Sequence, residues 1–80
     1  MNFTDKDKML ARKYREAGYE WVVRGRKSLG ICKEKPKKLW VFNIYVWITD
    51  DSCKRVDKRN FKPVQFSDSE PTRLDDIIGD

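Results

Sequence analysis

The side chains that most often carry catalysis are scarce in this chain of 80 residues. Histidine, the commonest general base, is absent, so neither a Ser–His nor a Cys–His nucleophile pair is possible. Two carboxylate pairs, Asp50–Asp51 and Asp75–Asp76, have the chemistry to bind Mg²⁺ or exchange protons. The first pair lies in a predicted turn, where aspartate side chains commonly hydrogen-bond the backbone, and the second lies in an acidic C-terminal stretch. We therefore predict no enzymatic activity, no catalytic residue and no cofactor.

Cys32 and Cys53 are the two cysteines, and they admit either one disulfide or two packed thiols. A structural zinc site needs about four ligands, which this pair cannot supply without histidine, so no metal site is predicted. The opening stretch MNFTDKDKML carries charges from residue 5 and has no apolar core of the secretion-signal type. No apolar run approaches the roughly 18–20 residues of a membrane span. We expect a cytoplasmic protein with reduced thiols and no membrane partner.

Basic residues are the strongest functional signal. The net charge is +5: residues 1–64 contain 17 Lys and Arg against 8 Asp and Glu, and residues 65–80 contain 1 against 5. Lysines and arginines neutralise nucleic-acid phosphates, and exposed aromatic rings beside them stack on bases. Two clusters that an antiparallel sheet could bring together are the candidate binding residues for a nucleic acid or another anionic partner: Arg24, Arg26, Lys27, Lys35, Lys37, Lys38, Lys54, Arg55, Lys58 and Arg59. The alternative is that these charges only solvate a small protein.

The N-terminal region is predicted to form a helix over residues 5–17. Thr4 is the predicted N-cap, and its spacing to Asp7 is that of a capping box. Gly18 is the predicted stop, since glycine readily takes the left-handed conformation that follows many helices. Lysines and arginines occupy much of the helix surface outside one apolar face.

Short strands are predicted after the helix, over residues 19–24, 29–34 and 39–48. A charged stretch at 53–60 is predicted to be an edge strand, because its lysines would discourage mispairing. Close to the C-terminus, Pro71 is predicted at the first position of a helical turn that carries Leu74, Ile77 and Ile78 on one face. Connections of two to six residues favour an antiparallel meander over a parallel sheet.

The stretch KLWVFNIYVWITD, residues 38–50, is apolar on both alternating sets of positions. A strand with one solvated face should alternate apolar and polar residues. We assign the even-numbered set from Phe42 to Ile48 to the helix-facing core. Val41, Tyr45 and Trp47 belong to the second set, which either the segment 74–78 or a partner covers. They are the candidate apolar partner surface, and a homodimer is one way of covering it.

These elements predict an α+β fold, with an N-terminal helix packed on a three- to four-stranded antiparallel meander. Residues 1–66 would form the single small domain, and residues 67–80 an acidic C-terminal segment that is docked or flexible. The predicted core is Leu10, Tyr14, Ala17, Trp21, Val23, Leu29, Ile31, Phe42, Ile44, Val46, Ile48, Phe61 and Phe66.

Three stretches resemble short uncharacterised proteins encoded by phages and prophages of Gram-positive bacteria. LARKYREAGYEWVVRG contains a Gly18–Tyr19 pair after the helix, KEKPKK contains Lys35–Pro36, and FSDSEPTRLDDIIG closes with acidic and aliphatic residues. The stretch TDDSCKRVDKR departs from this pattern. The resemblance implies a bacterial cytoplasm and a non-enzymatic accessory role, in which the protein binds and modulates a host or phage protein. It identifies no functional residue.

Overall fold

The chain folds into two helices and six strands within the part that the structure describes. The computed structural model describes residues 2–26, 28–41, 44–48, 52–68 and 70–80, and for 39–41 and 44–48 it describes the backbone. The elements are α1 (Asp5–Glu16), β1 (Trp21–Arg24), β2 (Leu29–Cys32), β3 (Lys37–Val41), β4 (Ile44–Ile48), β5 (Cys53–Val56), β6 (Thr72–Arg73) and α2 (Leu74–Ile78). The predicted α+β class is confirmed.

Helix α1 begins where its sequence predicts. The Thr4 hydroxyl accepts a hydrogen bond from the Asp7 N–H at 3.0 Å, and the Asp7 carboxylate accepts one from the Thr4 N–H at 3.3 Å. This is the predicted capping box. Gly18, with φ of +99°, takes the predicted left-handed conformation after the helix. Ala17 caps the C-terminal end and is exposed, so its assignment to the core was wrong.

Four strands form an antiparallel sheet in the order β5-β2-β1-β6. Strand β5 lies at one edge, as predicted, and β6 pairs with β1 at the other edge. Strand β1 is buried on both faces: Val22 is fully buried in the main core, and Val23 is 3% exposed on the opposite face. The placement of Trp21 in the core was therefore wrong, because alternation along the strand points it away from the helices, where it is half-buried.

Strands β3 and β4 form a separate two-stranded antiparallel sheet, with Val41 opposite Ile44. The prediction of one strand over residues 39–48 was wrong. An apolar run on both faces carries no periodicity that marks a chain reversal, although its length exceeds the usual strand of about five to six residues. Phe42 and Asn43, between the two strands in sequence, lie outside the described residues, as do the side chains assigned to the core and to the partner surface in this stretch.

The main core lies between the four-stranded sheet and the two helices. Its buried members are Phe3, Ala11, Val22, Leu29, Ile31, Val56, Phe61, Val64, Leu74 and Ile77. Leu10 and Tyr14 pack against this core while half-buried, and Phe66 is half-buried as well. Ala11 is 0% exposed, and α1 packs mainly against α2.

The acidic C-terminal segment is docked. Leu74 and Ile77 are fully buried, and Ile78 packs beside them, so the predicted apolar face is confirmed. The Asp80 side chain accepts a hydrogen bond from the Phe3 N–H at 3.1 Å, which ties the two ends of the chain together. The helical turn begins at Leu74, so the prediction of Pro71 as its first residue was wrong.

Cys32 and Cys53 form a disulfide across β2 and β5, where they are directly opposite residues with Cα atoms 4.0 Å apart. The Lys33 N–H donates to the Ser52 carbonyl just beyond them. This places the cysteines at a non-hydrogen-bonded position of the ladder, where paired Cα atoms lie closest. The expectation of reduced thiols was wrong, because the pairing of β2 with β5 across a 21-residue separation was not visible in the sequence.

Candidate functional site

An open groove runs between one face of α1 and the loop that follows β5. Its volume is about 1210 Å³. Helix residues spaced by three to four positions line one wall, and the loop 57–63 lines the other. The lining residues are Asn2, Thr4, Lys6, Asp7, Met9, Leu10, Lys13, Asp57, Arg59, Asn60, Lys62 and Pro63. We call this feature the α1 groove.

The buried carboxylate of Asp7 joins the two walls of the α1 groove. Asp7 is only 6% exposed, and its Oδ1 accepts a hydrogen bond from the Phe61 N–H at 3.1 Å. Phe61 has a φ of 52°, a conformation that non-glycine residues rarely adopt, while its ring is fully buried in the core. Asp7 thus caps α1 and also holds the loop against it.

Arg24 holds the same loop from the sheet side. Its guanidinium donates to four backbone carbonyls, at distances of 2.6 to 3.1 Å. The acceptors belong to Lys58, Asn60, Phe61 and Val64. Arg24 was predicted to contact an anionic partner, but these bonds commit its donors to the fold.

Arg59, another predicted binding residue, is held beside the α1 groove by Asp57. The Arg59 guanidinium donates to the Asp57 carboxylate at 2.7 Å and 3.1 Å, and the Arg59 N–H donates to it at 2.9 Å. The side-chain hydrogen bond from Arg59 holds the pKa of Asp57 well below its ordinary value, and the backbone bond lowers that pKa further. The side-chain hydrogen bond to Asp57 in turn raises the pKa of Arg59.

We expect the Asp57 carboxylate to stay ionised in the folded protein at about pH 3, where an ordinary aspartate is mostly protonated. Because its folded pKa is depressed, its contribution to stability is present above the unfolded pKa. That contribution is lost only as the pH falls through the folded value. Carboxyl ¹³C NMR of the native protein measures the titration. In an Arg59→Gln variant the midpoint should return toward about 4, and a wild-type midpoint already near 4 would contradict the pairing.

The rim of the α1 groove carries three lysines without acidic partners. Among the described residues, Lys6, Lys13 and Lys62 form no ion pair. Between them, Met9 is 67% exposed, a large apolar side chain left in contact with water. Leu10 and Pro63 add further apolar surface to the lining. The groove therefore combines an apolar floor with a cationic rim.

A second, smaller cavity of about 320 Å³ lies on the outer face of the sheet over Gly30. It brings together three of the predicted binding residues, Arg26, Lys54 and Arg55. Val23, Gly25, Ser28, Leu29, Cys53 and Phe66 complete the lining. We call this cavity the Gly30 pocket.

The other predicted basic residues do not join these two sites. The Lys38 ammonium donates to the carbonyls of Phe66 and Asp68 at 3.1 and 2.8 Å, which ties β3 to the segment after the loop. Lys35 lies 5.4 Å from the Trp21 ring centroid and pairs with Glu70. Lys37 and Lys58 are exposed. Lys27 and the side chains of Val41, Tyr45 and Trp47 lie outside the described residues.

The α1 groove was missed in the sequence because its walls are about fifty residues apart in the chain. The sequence predicts a solvated helix face for the cations of α1 and an extended segment around Lys62. One signal was available, since Met9 is a large apolar residue among lysines on that face. The pairing of that face with the loop 57–63 needed the long-range contact of Asp7 with Phe61.

Within the described residues, no group of three or more His, Cys, Asp or Glu side chains is arranged to hold a metal ion. The helices of that part are too short or too polar to cross a membrane. No protein-family model matches the chain, and no similar protein was found among curated proteins or solved structures.

Proposed function

We propose that this chain is a small non-enzymatic accessory protein of the phage or prophage type that binds and modulates a host or phage protein. The observation that carries the proposal is the α1 groove. Its volume of about 1210 Å³ exceeds the range of roughly 300–1,000 Å³ usual for small-molecule pockets and suits a peptide segment. The exposed Met9 supports this role, because flexible methionines are common at protein-binding surfaces.

The chemistry of the rim selects the partner segment. Lys6, Lys13 and Lys62 surround an apolar floor and form no ion pair among the described residues, although the charge of Lys6 contributes to the lowered pKa of Asp57. An acidic segment with one or two large apolar side chains complements both features, since its carboxylates meet the lysines and its apolar groups cover Met9. The carboxylates that the groove itself contains, Asp7 and Asp57, are engaged by backbone N–H groups and by Arg59.

Site-specific photo-crosslinking tests this proposal. A photoreactive phenylalanine analogue placed at Met9 should capture an acidic, apolar-containing segment from nuclease-treated lysate of a Gram-positive host. Reversing the charge of two rim residues, with Lys6→Glu and Lys13→Glu, should reduce the crosslink by about tenfold or more, because like charges then face the segment. The matched control carries the analogue at Asp76, which is exposed on α2 and outside the groove.

Three outcomes would overturn the proposal. One is crosslinking at position 9 that does not exceed the position-76 control. Another is capture of basic segments, and the third is a crosslink that the charge reversals leave unchanged. A parallel crosslinking in lysate without nuclease is the comparison, and a product seen only there would show that nucleic acid, and not a protein segment, bridged the captured partner.

A further inference from the structure

The Gly30 pocket exists because one position on the outer face of the sheet has no side chain. Val23, Gly30 and Arg55 are directly opposite one another across β1, β2 and β5. Residues opposite each other in an antiparallel ladder share a face, so a larger residue at position 30 would stand between the other two. Glycine is a poor strand residue, and here it leaves a hollow of about 320 Å³.

The cations that line this hollow lack acidic partners. Within the described residues, Arg26 and Arg55 form no ion pair with a carboxylate. Lys54 lies opposite the buried Ile31, so its side chain is on the other face of the sheet, and near the hollow it presents its backbone carbonyl. Arg26 lies 6.0 Å from the centroid of the Phe66 ring, which also lines the pocket. This cation–π contact positions the guanidinium at the rim without consuming its hydrogen-bond donors.

We propose that the Gly30 pocket binds the phosphate group of a nucleotide, either free or within a single nucleic-acid strand. Arginine donors in a planar fork match phosphate oxygens, and two arginines here lie at one small cavity. The volume is at the lower end of the usual range for small-ligand pockets, which suits one nucleotide unit. This site is separate from the α1 groove, and the inference does not rest on the proposed function.

Position 30 offers a way to close the pocket without disturbing the fold. A Cβ atom added there would lie 3.9 Å from its nearest neighbours, the Lys54 carbonyl and the Val23 side chain, which is ordinary contact. Gly30→Val should therefore fold, since valine favours strands. Arg55→Ala removes one of the two arginines. Arg12→Ala is the matched control, because it removes one arginine from an exposed position on α1 that lines neither cavity.

The experiment measures fluorescence anisotropy of a labelled single-stranded oligothymidine at low salt, with far-ultraviolet circular dichroism as a check on folding. We expect Gly30→Val and Arg55→Ala each to weaken binding by about tenfold, and Arg12→Ala to change it by less than about twofold. Competition by thymidine 5′-monophosphate separates the two sources of phosphate. If the mononucleotide displaces the oligonucleotide efficiently, a free nucleotide is a sufficient ligand for the pocket. If it competes weakly, the ligand is a phosphate within a nucleic-acid strand.

Two results would overturn the inference. If the oligonucleotide and the mononucleotide both fail to bind, the pocket has no phosphate ligand of this class. If Arg12→Ala weakens binding as much as Arg55→Ala while Gly30→Val has no effect, the interaction is diffuse attraction to a basic protein. Neither result bears on the crosslink at Met9, so the two proposals fail independently.

Discussion

Replacing Arg24 with alanine should lower the free energy of unfolding by about 4 kcal/mol. The substitution removes four hydrogen bonds from one charged donor group. It also leaves the carbonyls of Asn60, Phe61 and Val64 without these donors in partly buried positions. Because a domain of this size has a total stability of only about 5–15 kcal/mol, the loss would be a large share of it.

Urea unfolding followed by tryptophan fluorescence measures this loss. Arg24→Lys should recover only part of it, since one ammonium group cannot reach acceptors that a planar fork reaches together. Arg26→Ala is the matched control: it removes the same side chain two residues further on, where no backbone carbonyl depends on it among the described residues. If the alanine variants at positions 24 and 26 were equally stable, Arg24 would not hold the loop.

Breaking the Cys32–Cys53 disulfide should lower the free energy of unfolding by about 3 kcal/mol. The bond closes a loop with a sequence separation of 21 residues, and in the chain-entropy account it stabilises the fold by restricting the unfolded chain. Cys32 is fully buried, so a double alanine replacement is preferable to serine, which would bury a hydroxyl.

Guanidinium unfolding with and without dithiothreitol measures the effect. The reductant should destabilise the wild-type protein and leave the Cys32→Ala/Cys53→Ala variant unchanged. A wild-type curve that dithiothreitol does not shift, with thiol alkylation confirming reduction, would contradict the prediction. Disulfides are typical of oxidising compartments, so the cytoplasmic location stays a prediction, and both binding experiments are best run on oxidised and reduced protein.

The local elements of the fold were predictable, and the long-range contacts were not. Thr4, Asp7 and Gly18 marked the ends of α1 through capping chemistry that operates within a few residues. The roles of Asp7 and Arg24 in holding the loop 57–64 depend on partners more than thirty residues away. Composition therefore identified both residues only as charged. Arg24 was predicted to bind a partner at the surface, whereas its guanidinium donates to backbone carbonyls of the same chain.

The candidate sites divide in the same way. Arg26 and Arg55 were predicted as binding residues from charge alone, and the pairing of β2 with β5 brings them to one pocket. The hollow at Gly30 depends on having Val23 and Arg55 on either side of it in the sheet. Hydrophobic periodicity could not have shown this, because it assigns residues to the faces of a strand and does not identify which strands are neighbours.

The disulfide also shows where this domain tolerates change. The segment that contains β3 and β4 leaves the four-stranded sheet after Cys32 and returns to it at Cys53. The Cα atoms of those two residues are 4.0 Å apart. Without residues 33–52, strands β1, β2 and β5 are consecutive neighbours in a simple meander. The segment is thus an insertion whose two ends the disulfide joins, so a change in its length need not reroute the core strands. Lys38 on β3 donates to two backbone carbonyls within residues 66–68. A foreign peptide grafted between Cys32 and Cys53 therefore has to retain or replace that contact.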